Sequence, residues 1–191
     1  MDPPFVYIEE EPLSEMLRSA VDTFRRECYG HIFGKKPSRT RNSYIVNCAG
    51  QINSTSSRNK EVDHKKRSKK RVHKIYSQYP SLYPLIGDFH SHAQWGSYYR
   101  SVELSDTDIK GMTEEKWCEI AFVIRISSRS KERLEWVSKT DGGIRGTFGD
   151  YIVDVNVYRL IEDGVDLIPQ SLQIISSAIK VLNKENEKKK K

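Results

Sequence analysis

Residues Leu85–Ile109, LIGDFHSHAQWGSYYRSVELSDTDI, constrain the fold more than any other stretch of the chain. Two of the five histidines stand here as His90-Ser91-His92, directly after a short apolar run. In an extended segment alternate side chains share a face, so Asp88, His90 and His92 point the same way. Two imidazoles about 7 Å apart along a strand can close on one metal ion. A carboxylate delivered from a following helix would complete three protein ligands and leave a fourth position for water. That is the layout of a catalytic zinc rather than a structural one.

A chain of 191 residues suits one domain, or one domain with an insertion. We expect a single domain over residues 1–183, with a basic helical or loop segment at about 54–80 and a disordered lysine-rich tail at 184–191. The net charge of +6 overstates the basicity of the folded part. Residues 184–191 alone hold five lysines against two glutamates, and a second basic run spans Lys65–Lys74. Such runs more often mark solvated chain than a nucleic-acid surface. Three cysteines, Cys28, Cys48 and Cys118, form no CxxC pair and no disulfide framework. A reducing, cytoplasmic setting is therefore expected. The N-terminal residues carry neither a signal-peptide pattern nor a membrane span.

Taken in order, Phe5–Ile8 reads as an edge strand behind Pro3 and Pro4. Leu13, Met16, Leu17, Ala20, Val21 and Phe24 recur at helical spacing, with Pro12 in the first turn. Cys28 to Gly34 reads as a strand in which Gly30 and Gly34 permit close backbone approach or a bulge. Ser43–Ala49 is a further strand, and residues 50–59 a loop. From Glu61 to Tyr79, Val72, Ile75, Tyr76 and Tyr79 keep helical spacing and would anchor a helix whose first half is basic. Ser105 looks like an N-cap before Ile109 and Met112. Glu119–Ser127 is the clearest strand, with Arg133–Lys139 pairing against it and strands at Ile144–Phe148 and Tyr151–Leu160. Leu172, Ile175, Ala178, Ile179 and Leu182 give a last amphipathic helix. The order implies an α/β fold: a mixed, largely antiparallel, curved sheet flanked by helices.

Alone, each site element has a bland explanation. A His-x-His pair arises by chance, Ser105-x-x-Asp108 is a capping box, and Glu27 could be a surface carboxylate beside Arg25 and Arg26. Together they form an ordered set: E-C-Y-G-H-I-F-G at 27–34, G-D-F-H-S-H at 87–92 and S-D-T-D-I at 105–109. In this set the chain resembles the JAMM (MPN+) zinc metalloprotease family, in element order from roughly Phe5 to Leu160. The resemblance implies a JAMM/MPN-type, cytidine-deaminase-like architecture and one Zn2+ per chain. It implies His90, His92 and Asp108 as the zinc ligands. Glu27 would be the general base that passes a proton to the leaving amine, and Ser105 the donor to the oxyanion. Zinc lowers the pKa of its water from about 15.7 to near 7, and one oxyanion donor commonly contributes about 2.7–4 kcal/mol. Asp88, on the histidines' face, is a candidate for orienting an imidazole.

Two departures stand out. Twelve residues separate His92 from Ser105, more than the family usually has, and Ala93 stands where proline is common. Glu103 and Asp106 therefore stay open as alternative third ligands, although the intact Ser-x-x-Asp spacing and Ile109 favour Asp108. Trp95, Tyr98 and Tyr99, in the longer loop, either rim the substrate site or pack the loop down. Barrels and cupins with His-x-His need later histidines, and none follows His92. His31 is expected to be structural, and His64 and His73 to belong to the exposed basic helix.

The resemblance implies a deubiquitinase- or desampylase-like hydrolase of peptide or isopeptide bonds. Its substrates would be conjugates of ubiquitin-like or sulfur-carrier modifiers, cut at their C-terminal glycine. The alternative is a non-catalytic scaffold or modifier-binding module of the same fold. Nucleic-acid binding is disfavoured because no aromatics are interleaved with Lys65–Lys74, and no membrane partner is expected. Oligomeric state is not legible.

Overall fold

The computed structural model describes residues 3–24, 26–52, 55–58, 61–64, 71, 74–76, 78–79, 84–93, 101–128 and 133–188. In chain order the elements are β1 (Phe5–Ile8), α1 (Glu10–Asp22), β2 (Tyr29–Lys35), β3 (Ser43–Gln51), β4 (Thr55–Arg58), β5 (Glu61–His64), β6 (Leu85–Ala93), α2 (Asp106–Glu114), β7 (Ile120–Ser128), β8 (Val137–Ser138), β9 (Ile144–Phe148), β10 (Tyr151–Asp163), β11 (Asp166–Ser171), β12 (Ile174–Ser176) and α3 (Ala178–Lys188). Ten strands form one sheet in the order β12-β1-β3-β2-β6-β7-β10-β9-β8, with β11 also paired to β10. Parallel pairing occurs at β12·β1, β1·β3 and β6·β7, and the remaining ladders are antiparallel. The expected mixed, largely antiparallel α/β class holds.

Strand alternation divides the sheet into two unlike faces. On β7, Ile120, Phe122, Ile124 and Ile126 face one way, and Val153, Val155 and Val157 of β10 join them. α1 covers this face with Leu13, Met16, Leu17 and Ala20, and α3 adds Ala178, Ile179 and Leu182. On the other face Met112 of α2 meets Cys118 and Ala121, with Leu104, Trp117 and Leu160 beside them. Phe89 of β6 is fully buried on the α1 face. Its ring fills the space where a side chain at Gly30 would stand, so the close approach expected at that glycine occurs. A register shift between Phe33 and Gly34 supplies the expected bulge.

Several expectations need correction. β1 is not an edge strand, since it lies between β12 and β3. Pro3 and Pro4 precede the ladder, so the missing N–H groups cost it nothing, and Val6 N donates to the Gln173 carbonyl. The last helix begins later than its periodicity implied. Ile174 is buried and Ile175 is 40% exposed, the two-residue alternation of β12. That helix also runs further, through Lys188, beyond the boundary expected at 183. Asn186 is buried and donates to the Thr147 carbonyl, while Asn183 bonds both the N–H and the carbonyl of Trp136. With both neighbours of β7 supplied by β6 and β10, Val137–Ser138 pairs with β9 instead.

The loop expected at 50–59 and the helix expected from Glu61 also give way. β3 extends to Gln51, and β4 and β5 form a separate two-stranded hairpin that includes His64. Residues 71, 74–76 and 78 are helical. Of the expected anchors, Tyr76 stacks on Phe33 with ring centroids 4.6 Å apart, whereas Ile75 and Tyr79 are exposed. Val72, His73 and most of the basic run lie outside the described residues. β11, with its exposed Leu167 and Ile168, has no counterpart in the sequence reading. Among the described residues no helix is long and apolar enough to cross a membrane.

Candidate metal centre

With Phe89 turned toward α1, alternation sends Asp88, His90 and His92 to the α2 face of β6. The ladders then align neighbours in rows across the sheet. Tyr29 of β2 stands opposite His90, and His31 opposite Asp88. On the other side of β6, Val123 and Arg125 of β7 stand beside His90 and His92.

Ser91, between the histidines, is fully buried. Its Oγ accepts from Cys28 N at 2.9 Å and its own N–H donates to the Cys28 carbonyl at 3.1 Å. This clasp fixes Cys28 against Ser91 just beyond the end of the β2–β6 ladder. Glu27 lies directly before Cys28, outside the β2 ladder. Its charge acts on His90.

Three side chains converge. One ligand atom from each of His90, His92 and Asp108 lies within 4.8 Å of the others. The two imidazole centroids are 5.0 Å apart, and His90 Nε2 is 3.5 Å from Asp108 Oδ2. That separation makes an ion pair only when His90 is protonated, and it is too long for a tight hydrogen bond. His92 Nδ1 lies 2.7 Å from the Ser101 carbonyl. A proton on Nδ1 satisfies that contact and makes Nε2 the lone-pair nitrogen.

Asp108 reaches the cluster from the first turn of α2, where the capping box is complete. Ser105 N donates to Asp108 Oδ2 at 2.8 Å, Ser105 Oγ donates to the same oxygen at 2.6 Å, and Asp108 N donates to Ser105 Oγ at 3.3 Å. The cap thus fixes the carboxylate as well as the helix. One motif serves both the structural and the chemical purpose.

Electrostatics bind the set together. Burial opposes a charge on His90, but Asp108, with Asp88 and Glu27 behind it, outweighs burial and raises the imidazole pKa. Asp108 shows the complement: burial works upward, yet His90 and Ser105 hold the carboxyl well below the usual carboxylate range. Burial raises Asp88, against the pull of His90 and of hydrogen bonds from Tyr29 and Cys118. Cys28 is pushed up to about 11 by burial and stays a thiol.

This donor set suits a divalent cation. Zinc takes bonds of about 2.0–2.2 Å to imidazole nitrogen and carboxylate oxygen. His90 Nε2 is a buried nitrogen with no hydrogen-bond partner, turned toward a carboxylate and a second imidazole. These three residues could hold one ion. Of the rival third ligands, Glu103 and Asp106 are exposed and neither joins the group. Asp88 accepts from the Tyr29 hydroxyl at 3.0 Å and touches His90 through charge alone, so it does not orient an imidazole by hydrogen bonding. Trp95, Tyr98 and Tyr99 lie outside the described residues.

His31 is buried at the hub of an aromatic cluster, its ring 5.1 Å from Trp117 and 5.7 Å from both Tyr29 and Tyr76, as expected of a structural histidine. The sequence reading did not single out Ser91, Tyr29 or the Ser101 carbonyl. The small polar residue inside His-x-His was the available signal for Ser91; a carbonyl leaves none.

The fold is similar to the solution structure of protein DSY2949 from Desulfitobacterium hafniense, with a TM-score of 0.51 and 14% sequence identity. The likeness covers 91% of this chain and 93% of that one, and at such identity it concerns fold alone. No family model and no curated protein matches the sequence.

Proposed function

We propose that the chain is a JAMM-type zinc metallopeptidase that hydrolyses peptide or isopeptide bonds. The observation that carries this is the convergence of His90, His92 and Asp108, with the charge of Glu27 acting on His90. A wholly structural role for four such side chains has no use for a base at that spot. The sequence motifs add the family, and with it the JAMM/MPN-type architecture, a cytoplasmic setting and modifier conjugates as substrates.

His90, His92 and Asp108 would hold the zinc, which when bound supplies Lewis acidity and a water acidified to a pKa near 7. Glu27 takes the proton of the attacking water and delivers it to the leaving amine. Ser105 Oγ starts as a donor to Asp108 Oδ2. In the reaction the same hydroxyl would turn from Asp108 to donate to the oxyanion at the scissile carbonyl. The extended tail of a modifier would lie over the α2 face of β6 and present its last carbonyl there.

Glu27→Gln tests this. The variant should retain one zinc per chain by elemental analysis, while cleavage of a modifier–lysine conjugate falls by about 10²–10⁴-fold, the usual weight of a general base. Undiminished cleavage removes Glu27 from the mechanism. Failure of wild type to hold zinc removes the whole class. The engaged Ser105 hydroxyl favours one rival, a scaffold that binds a modifier without cutting it; tight binding by a zinc-loaded but inert wild type would establish that instead.

A further inference from the structure

The row of residues that contains His92 continues across the sheet as an alternating line of charges. Arg125 pairs with His92, Asp154 with Arg125, and Arg145 with Asp154. All lie on the α2 face, because Ile124, Ile126, Val153, Val155 and Ile144 around them belong to the opposite core. Strands are spaced about 4.8 Å apart, so Arg125 is one step from His92 and Arg145 about 14 Å away.

Asp154 is only 2% exposed, and a buried carboxylate requires pairing. Arg125 Nη2 supplies it at 2.7 Å. Arg145 Nε approaches the other oxygen at 3.7 Å, without a hydrogen bond. Lys139 is also near, at 3.9 Å, but is spent on Asp141 at 2.8 Å and on Asn156 at 3.0 Å. Two guanidinium groups therefore share one carboxylate. Among the described residues, Nε and Nη1 of Arg125 have no acceptor, and its side chain is 27% exposed. A buried ion pair needs one cation; the second leaves the row with a surplus positive charge and unspent planar donors, which match a carboxylate.

We infer that Arg125 and Arg145, oriented by Asp154, form a carboxylate-binding subsite beside the metal centre. It selects substrates with an acidic side chain one or two residues from the scissile bond. The reach follows from strand geometry, since an extended peptide advances about 3.3 Å per residue. The inference rests on the metallopeptidase function proposed above and adds the class of sequence that the site prefers.

The test uses the zinc-loaded full chain and two pairs of hydroxamate peptides, which seat on the metal through the hydroxamate. One pair is acetyl-Glu-Gly-hydroxamate and its Gln counterpart; the other places Glu or Gln one residue further away. Wild type should bind one Glu probe about tenfold more tightly than its Gln partner. Arg125→Lys should lower that preference and Arg145→Gln, at an exposed position, should lower it further, with zinc content and melting temperature unchanged. Arg125→Gln should abolish it. Equal binding of Glu and Gln probes by wild type, or a preference that survives in both Arg145→Gln and Arg125→Lys, overturns the subsite. If no hydroxamate binds the zinc-loaded chain, the peptidase function fails and the subsite fails with it.

Discussion

The two faces of the central sheet are made by the same strands and obey different rules. Toward α1, β6 presents Phe89 and β7 presents Ile120, Phe122, Ile124 and Ile126, a continuous apolar layer. Toward α2 the same strands present Asp88, His90, His92 and Arg125. Stability on the first face comes from area removed from water, which tolerates exchange of one apolar group for another of like volume. On the second face each side chain depends on a named partner: His92 on a carbonyl, Asp108 on Ser105, Arg125 on Asp154. One face makes the fold, and the other exploits its rigidity.

Changes on the two faces should therefore separate cleanly. The largest effect is expected from His90→Ala, which should take zinc from one per chain to none detectable by elemental analysis. The melting temperature of the metal-free protein should fall less at pH 8 than at pH 5.5, where the pairing of His90 with Asp108 contributes to stability. Retained stoichiometric zinc would mean that the ion sits elsewhere. Phe89→Ala, one residue away, should do the opposite. It should cost about 3–5 kcal/mol of unfolding free energy by denaturant titration, the toll for emptying a fully buried aromatic site. Zinc stoichiometry of the folded fraction should stay intact. A loss below about 1 kcal/mol would show that the α1-face core repacks freely.

The smallest effect separates the faces by pH. The pKa of His90 is raised in the fold. The stability it contributes is thus fully present below its unfolded value of about 6.5 and is lost as pH rises through the folded value. Asp108 is depressed. Its contribution is present above about 3.9 and vanishes only as pH falls through a much lower folded value. The metal-free protein should accordingly melt at a higher temperature near pH 5.5 than near pH 8. Zinc competes with the proton on His90, so the loaded protein should reverse that order. Identical ordering with and without zinc would separate His90 from the metal.

What the sequence disclosed follows the same division. The convergence of His90, His92 and Asp108 was legible because each sits in a short motif whose spacing fixes its local geometry, whereas Glu27 and Ser105 entered as catalytic groups only through the family resemblance. Strand existence was legible at β6 and β7 for a similar reason, since apolar density there is high. Neighbour order was not. Nothing local in Phe5–Ile8 says that two parallel partners, one from beyond residue 170, will enclose it. Ile174 and Ile175 satisfy both a helical and a two-residue pattern, and pairing with β1 decides between them. The row from His92 to Arg145 is assembled from four strands and depends on every register, so no window of sequence contains it.

The clasp between Ser91 and Cys28 has a mechanical consequence. Two short hydrogen bonds tie the backbone just after Glu27 to the residue between the two histidines. Any shear of β2 against β6 would have to break both, so the carboxylate and the imidazoles travel as one unit. Distortions from thermal motion, or from a substrate pulling on one strand, are shared rather than converted into misalignment. A thiol or a methyl group in place of the Ser91 hydroxyl would leave every chemically active side chain present and loosen the tolerance between them.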